Sequence, residues 1–164
     1  MNSSKGIIWS TAVLLVTAIA STAFSHCEIP CGIYGDKMRI DMWEEQIATV
    51  EKSMQEIIRL SNADEVNYNQ IVRWVINKDK HADDIREIAV QYFLAQRVKF
   101  TDNEGREKYL KQLESLHRIV VFAMKAKQTT DLKNVEELRK EVSNFYELYF
   151  DEKMKEHLDE HNHE

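Results

Sequence analysis

Residues that break or cross-link a chain are scarce in this sequence of 164 residues, which has one proline, four glycines and two cysteines. So few breakers favour a chain that is nearly all helix, and two cysteines allow one disulfide at most. Basic residues are also in the minority, with 22 Lys and Arg against 28 Asp and Glu, for a net charge of −6. This balance argues against nucleic acid or an anionic membrane as a partner, because either would need a basic patch. It does not exclude a small anionic substrate.

The longest apolar run lies in residues 1–25, which have the pattern of an export signal. Lys5 precedes the uncharged stretch "GIIWSTAVLLVTAIA", and Ala23 and Ser25 provide the small residues that signal peptidases accept before a cut. Cleavage after Ser25 would make His26 the N-terminus of an exported protein, periplasmic or secreted, with no stable membrane association. An uncleaved leader that anchors the protein is the alternative. A lipoprotein is disfavoured, because His26 stands where a small residue should precede the lipidated cysteine.

Four stretches between residues 37 and 158 carry apolar side chains at alternating steps of three and four, the spacing of one helix face. These side chains are Ile40, Trp43, Ile47, Val50, Met54 and Ile57; Ile71, Val75, Ala82, Ile85, Ile88 and Tyr92; Leu110, Leu113, Val120 and Met124; and Val135, Leu138, Val142, Phe145 and Tyr149. Turn-forming residues separate the stretches at "SNADE", "TDNEG" and "KQTTD". Such short connections favour antiparallel neighbours, so the predicted fold is all-α, an up-and-down four-helix bundle.

Two further expectations concern side chains beside these stripes. His117 lies within the third stripe, which predicts a hydrogen-bonded histidine in the core rather than a metal ligand. Trp74, Phe93 and Phe150 lie outside the stripes and would leave apolar surface that one bundle does not bury. On that ground we expect the protein to self-associate.

Metal-binding groups concentrate where the leader would be cut, in residues 26–36. A new N-terminus at His26 offers an amine and an imidazole, Cys27 adds an amide nitrogen and a thiol, and Cys31 adds a second thiol. Pro30 and Gly32 on either side of Cys31 would bend the chain so that both thiols reach one ion. Nitrogen and sulfur donors in a square plane suit nickel(II) or copper(II). Thiolates and a deprotonated amide favour the higher oxidation state, which points to redox chemistry.

The stretch "HCEIPCGIYGD" resembles the N-terminal hook of nickel superoxide dismutases, which begin H-C-x-x-P-C-G-x-Y. Every fixed position of that pattern is matched, by His26, Cys27, Pro30, Cys31, Gly32 and Tyr34. The resemblance implies one nickel ion per subunit, with superoxide as the substrate that is disproportionated to oxygen and hydrogen peroxide. It also implies a homohexamer of four-helix bundles.

The resemblance assigns roles residue by residue. His26 would supply its amine, and its imidazole would be the axial ligand of nickel(III). Cys27 would supply its amide nitrogen and its thiolate. Cys31 would supply its thiolate. Tyr34 would guard the access of substrate to the metal, and Pro30 would turn the hook.

Three positions around the ligands differ from the family's pattern. Glu28 stands where an aspartate is usual. Asp41 can be matched, with a gap of one residue, to the glutamate that orients the histidine. His81 falls nearest to the place of the arginine that assists that glutamate.

The tail at residues 159–164 is rich in histidine and acidic residues, and with His157 just before it this end of the chain could collect metal ions. A solvated helix end is the favoured interpretation. The alternative function for the whole chain is a non-catalytic, exported, helical metal-binding protein with a Cys27–Cys31 disulfide.

Overall fold

The computed structural model describes the backbone of residues 31–161 and the side chains of residues 31–158. The predicted leader, the hook residues His26, Cys27, Glu28 and Pro30, and the last three residues of the tail lie outside this part of the chain. The described part contains five α-helices: α1 (Ile33–Ser61), α2 (Tyr68–Glu87), α3 (Arg106–Gln128), α4 (Lys133–Tyr149) and α5 (Glu152–His161). A π-helical segment, Ile88–Arg97, continues α2.

The first four helices form the predicted bundle. Helix α1 packs on α2, α2 on α3 and α3 on α4, and α4 closes the ring against α1. Helix α5 packs on α1 at the end of the chain. Helix α1 begins at Ile33, so residues 33–36 of the predicted hook form its first turn. Among the described helices, none is both long and apolar enough to cross a membrane.

The stripe predicted on α1 faces the core. Its six members are at most 8% exposed: Ile40, Trp43, Ile47, Val50, Met54 and Ile57. The indole of Trp43 packs against Phe93 and Phe145, with ring centroids 4.9 and 5.8 Å away respectively, and its Nε1 donates a hydrogen bond to the carbonyl of Ile85 at 3.0 Å. Burial of a large apolar side chain contributes about 1.5–3 kcal/mol, so this stripe joins α1 to its neighbours.

The stripe predicted on α3 was right for Leu113 and Val120, which are partly buried and pack against the core, but wrong for Leu110 and for the expected burial of His117. Leu110 is 47% exposed and His117 is exposed rather than buried. The residues of α3 that are buried are instead Ser115, Leu116, Ile119, Ala123 and Ala126. Large side chains dominated the predicted pattern, whereas small alanines form much of the contact because they let neighbouring helices approach closely.

Of the three aromatic residues expected to leave apolar surface, Trp74 is half-buried and the other two are placed differently. Phe93 is fully buried and Phe150 is 1% exposed, both within the main core. Exposed apolar side chains occur instead on α2, where Tyr68, Val72 and Ile76 are 74%, 55% and 64% exposed. They recur every four residues and therefore share one face of the helix.

Candidate metal centre

Cys31 is the one predicted nickel ligand within the described residues, and it lies two residues before α1. It is a free and exposed cysteine, so its thiol is available to a metal. Gly32 follows with φ 103° and ψ 179°, a backbone conformation that is essentially restricted to glycine. The carbonyl of Gly32 accepts the first hydrogen bond of α1 from the amide of Asp36, at 2.8 Å. Cys31 is therefore held close to the rigid end of a long helix.

The first turn of α1 also supplies a fully buried carboxylate, Asp36, which four hydrogen bonds saturate. Oδ1 accepts from the hydroxyl of Tyr92 and from Nε of Arg97, each at 2.7 Å. Oδ2 accepts from Nη2 of Arg97 at 2.7 Å and from the hydroxyl of Tyr149 at 2.8 Å. A buried charge is tolerated when it is paired and hydrogen-bonded in this way. We call these four residues the Asp36 cluster.

The protonation states in the Asp36 cluster are fixed by their surroundings. Burial, followed by the hydrogen bond to Asp36, raises the pKa of both tyrosines, Tyr92 and Tyr149. The hydrogen bond to Asp36 likewise raises the pKa of Arg97. At neutral pH both phenols therefore remain donors and the guanidinium remains charged. The cluster ties the start of α1 to the π-helical segment and to α4.

The π-helical geometry brings two members of the cluster to one side. Tyr92 and Arg97 are five residues apart, and an α-helix would separate such residues by about 140° around its axis. In a π-helix the hydrogen bonds join residues five apart, as in the 2.8 Å bond from the amide of Val98 to the carbonyl of Phe93. Both side chains therefore reach the same carboxylate oxygen.

The sequence held a signal for this cluster that our interpretation missed. Asp36 lies four residues before Ile40 and continues the apolar stripe of α1 by one turn. A carboxylate at a core position needs buried partners, and Tyr92 and Tyr149 themselves lie on predicted stripes. No sequence pattern pointed to Arg97, because its place depends on the π-helical segment.

Tyr34 lies in the first turn of α1, three residues after Cys31, and is 49% exposed. Its hydroxyl lies 3.1 Å from Nε2 of His157 in α5, within hydrogen-bonding distance. The two rings are tilted by 47° with centroids 5.7 Å apart. The structure thus places the predicted substrate-guarding tyrosine near Cys31 and in contact with a histidine from the end of the chain.

Asp41 and His81 have other partners among the described residues. Asp41 is exposed and forms an ion pair with Lys37 on the same face of α1. His81 is hydrogen-bonded through Nδ1 to Oε1 of Gln46. Within this part of the chain neither forms a hydrogen bond or ion pair with Cys31 or Tyr34. Their predicted roles near His26 stay predictions, because His26 lies outside the described residues.

Comparison with known families decides the class of protein. Residues 20–153, well over half of the chain, match the family of nickel-containing superoxide dismutases. The chain belongs to this family. No curated protein and no solved structure matches the chain.

As a nickel superoxide dismutase, the protein is an oxidoreductase that contains nickel and disproportionates superoxide to oxygen and hydrogen peroxide. The non-catalytic alternative with a Cys27–Cys31 disulfide is not favoured, because the match to this family extends over most of the chain and implies superoxide dismutase activity. No group of three or more His, Cys, Asp or Glu side chains that could hold a metal occurs within the described residues. The thiol of Cys31 fits the soft sulfur donors that a redox-active nickel site needs.

Proposed function

We propose that this nickel superoxide dismutase holds its metal through His26, Cys27 and Cys31. The matched residues 20–153 include all three, and Cys31 is a free thiol at the fixed end of α1. The donors would be the amine and imidazole of His26, the amide nitrogen and thiolate of Cys27, and the thiolate of Cys31. Bound nickel supplies one-electron redox chemistry that oxidises one superoxide and reduces the next.

The residues of this chain would position the substrate and the hook. Tyr34 is half exposed and lies three residues from Cys31, where its hydroxyl can hydrogen-bond a small anion and its ring can restrict larger molecules. The Asp36 cluster holds the first turn of α1 through four hydrogen bonds to a buried carboxylate. Because Gly32 and Ile33 are all that separate Cys31 from Tyr34, the same anchor limits the positions of both.

Export is part of this proposal. Cleavage of residues 1–25 would create the amine of His26, so the precursor would lack one ligand. We expect the protein from fractionated cells to begin at His26 and to be found in the periplasm or the medium. Intact-mass measurement of the isolated protein tests this directly. A chain that carries nickel while it begins at Ser25 or earlier would contradict it.

The ligand set is tested by nickel content and superoxide removal in the mature protein. We expect Cys31→Ser and His26→Gln each to lose most of the superoxide-removing activity. We expect Cys31→Ser to lose bound nickel as well. His117→Gln is the matched control, because His117 is an exposed histidine on α3. Full activity in Cys31→Ser would refute the proposed ligands.

We also propose that the subunits associate into a homohexamer, as the family resemblance implies. The apolar face of α2 formed by Tyr68, Val72 and Ile76 supports this, because soluble monomers rarely expose large contiguous apolar patches. We expect a second copy of the chain to cover this face, and Ile76→Lys to yield smaller species in sedimentation velocity. Gln70→Lys, an exposed position on the same helix, is the control. If Ile76→Lys sediments as the same oligomer as the original protein, the apolar face of α2 is not the interface between subunits.

A further inference from the structure

Tyr34 and His157 are 123 positions apart in the chain and meet at the N-terminal end of α1. The hydroxyl oxygen and Nε2 are 3.1 Å apart, and the ring centroids are 5.7 Å apart. The contact joins the helix that follows the hook to the last helix of the chain. In one tautomer Nε2 accepts a hydrogen bond from the phenol, and in the other it donates one to the phenol oxygen.

Helix α5 is fixed to the bundle on both sides of His157. Leu158 is 6% exposed and belongs to the main core, and Met154 packs against that core. The side chain of Asp151 accepts a hydrogen bond from the amide of Met154 at 2.9 Å and so caps the helix. Lys155 reaches back to Glu147 of α4, with Nζ 2.6 Å from Oε2. His157 is thus presented to Tyr34 by a docked helix.

His157 also lies beyond the part of the chain that matches the family, which ends at residue 153. The match to nickel superoxide dismutases therefore assigns it nothing. The evidence for a role of His157 is therefore its contact with Tyr34.

We propose that His157 is a positioning residue that acts through Tyr34. This inference rests on the proposed role of Tyr34 at the substrate entrance. A tyrosine that is half exposed can occupy several rotamers, and a hydrogen bond from a docked helix selects one of them. His157 would therefore keep the phenol oxygen at one place beside the hook, where an incoming superoxide meets it.

The test compares His157→Leu, which removes the hydrogen bond, with His157→Gln, which can restore it. His117→Leu is the control, because it removes an exposed histidine from α3, away from this contact. The first measurement needs no metal: the 13Cζ resonance of Tyr34, assigned with Tyr34→Phe, is recorded in the nickel-free mature protein. The second is kcat/KM for superoxide in the nickel-loaded protein, together with its nickel content.

We expect His157→Leu to shift the Tyr34 resonance and to lower kcat/KM by about 3- to 10-fold, the range of one hydrogen bond, at full nickel content. His157→Gln should recover kcat/KM to within about twofold of the original protein, and His117→Leu should change neither quantity. An unchanged Tyr34 resonance in His157→Leu, or a glutamine variant no better than leucine, would overturn the inference. Failure of the proposed role of Tyr34 would look different, since Tyr34→Phe would then leave kcat/KM unchanged while His157→Leu still shifted the Tyr34 resonance.

Discussion

Asp36 and Arg97, 61 residues apart in the chain, form a two-pronged ion pair with both oxygen–nitrogen distances at 2.7 Å. The carboxylate is fully buried and the arginine side chain is 25% exposed. The pair joins the first turn of α1 to the last turn of the π-helical segment. It therefore fixes the part of the bundle from which the hook extends.

Loss of the charge on Asp36 should destabilise the bundle. Asp36→Asn keeps the shape of the side chain but leaves Arg97 without its counter-ion, which for a buried pair costs about 3 kcal/mol or more. Urea denaturation of the nickel-free protein measures this free energy of unfolding. Asp41→Asn is the control, because its exposed ion pair with Lys37 should contribute less than about 1 kcal/mol. Equal losses in the two variants would contradict a structural role for the buried pair.

The comparison of sequence with structure shows where periodicity is sufficient. On α1 and α4 most of the buried positions are large and apolar, so spacing alone identified Trp43, Leu138 and Phe145 as core residues. On α3 the buried residues include small ones such as Ala123 beside large ones such as Ile119, and the large exposed Leu110 misled the assignment. Periodicity measures where large apolar side chains recur, and it gives too little weight to close contacts between small residues.

The candidate site required information that no local pattern holds. The hook could be recognised from the order of its ligands, since these lie within six residues of one another. The pairing of Asp36 with Arg97 depends on a π-helical segment, and that of Tyr34 with His157 depends on the docking of α5. Both are long-range contacts that follow from tertiary packing.

High pH should weaken the fold through the tyrosines of the Asp36 cluster. Because the pKa values of Tyr92 and Tyr149 are raised in the folded protein, their contribution to stability is complete below the unfolded tyrosine pKa of about 10. Above that pH the unfolded chain releases protons that the folded chain retains, so the free energy of unfolding decreases as pH rises.

Urea denaturation between pH 8 and 11 tests this dependence on pH. Above pH 10, Tyr92→Phe and Tyr149→Phe should each make the decrease shallower by up to about 1.4 kcal/mol per pH unit, the effect of one proton. Tyr68→Phe, which alters a tyrosine that is 74% exposed, should leave the slope unchanged. If all three variants lose stability with rising pH as steeply as the original protein, the buried phenols do not control this loss of stability.

Gly32 should be needed for nickel binding as well as for folding. Its φ of 103° with ψ of 179° costs a residue with a side chain about 1–3 kcal/mol, although no atom of the described residues, its two chain neighbours aside, lies within 4 Å of the added Cβ. Gly32→Ala should relieve this strain by moving Cys31, which lowers nickel affinity in competition with a chelator. Gly105→Ala, at φ 87° before α3, should reduce stability but leave nickel affinity unchanged. Equal nickel affinities in Gly32→Ala and Gly105→Ala would refute the proposal that the conformation of Gly32 positions Cys31 for nickel.

Lys78 should stabilise the bundle from a position far along the chain from the hook. This lysine is 3% exposed, and its Nζ donates to the carbonyls of Ala126 and Lys127 at the end of α3 and to the side chain of Asp79. Lys78→Met retains most of the apolar stem but leaves these carbonyls without a donor, at a cost of about 1–3 kcal/mol.

Thermal and urea denaturation measure the effect of Lys78→Met, and nickel content and kcat/KM should not change. Lys80→Met is the control, since Lys80 is two-thirds exposed and forms an ion pair with Asp84 one turn away, an arrangement that contributes about 0.3–0.5 kcal/mol. Equal stabilities of Lys78→Met and Lys80→Met would mean that water donates hydrogen bonds to the carbonyls at the end of α3 in place of Lys78. A loss of nickel in Lys78→Met would instead indicate that the far end of the bundle is coupled to the hook.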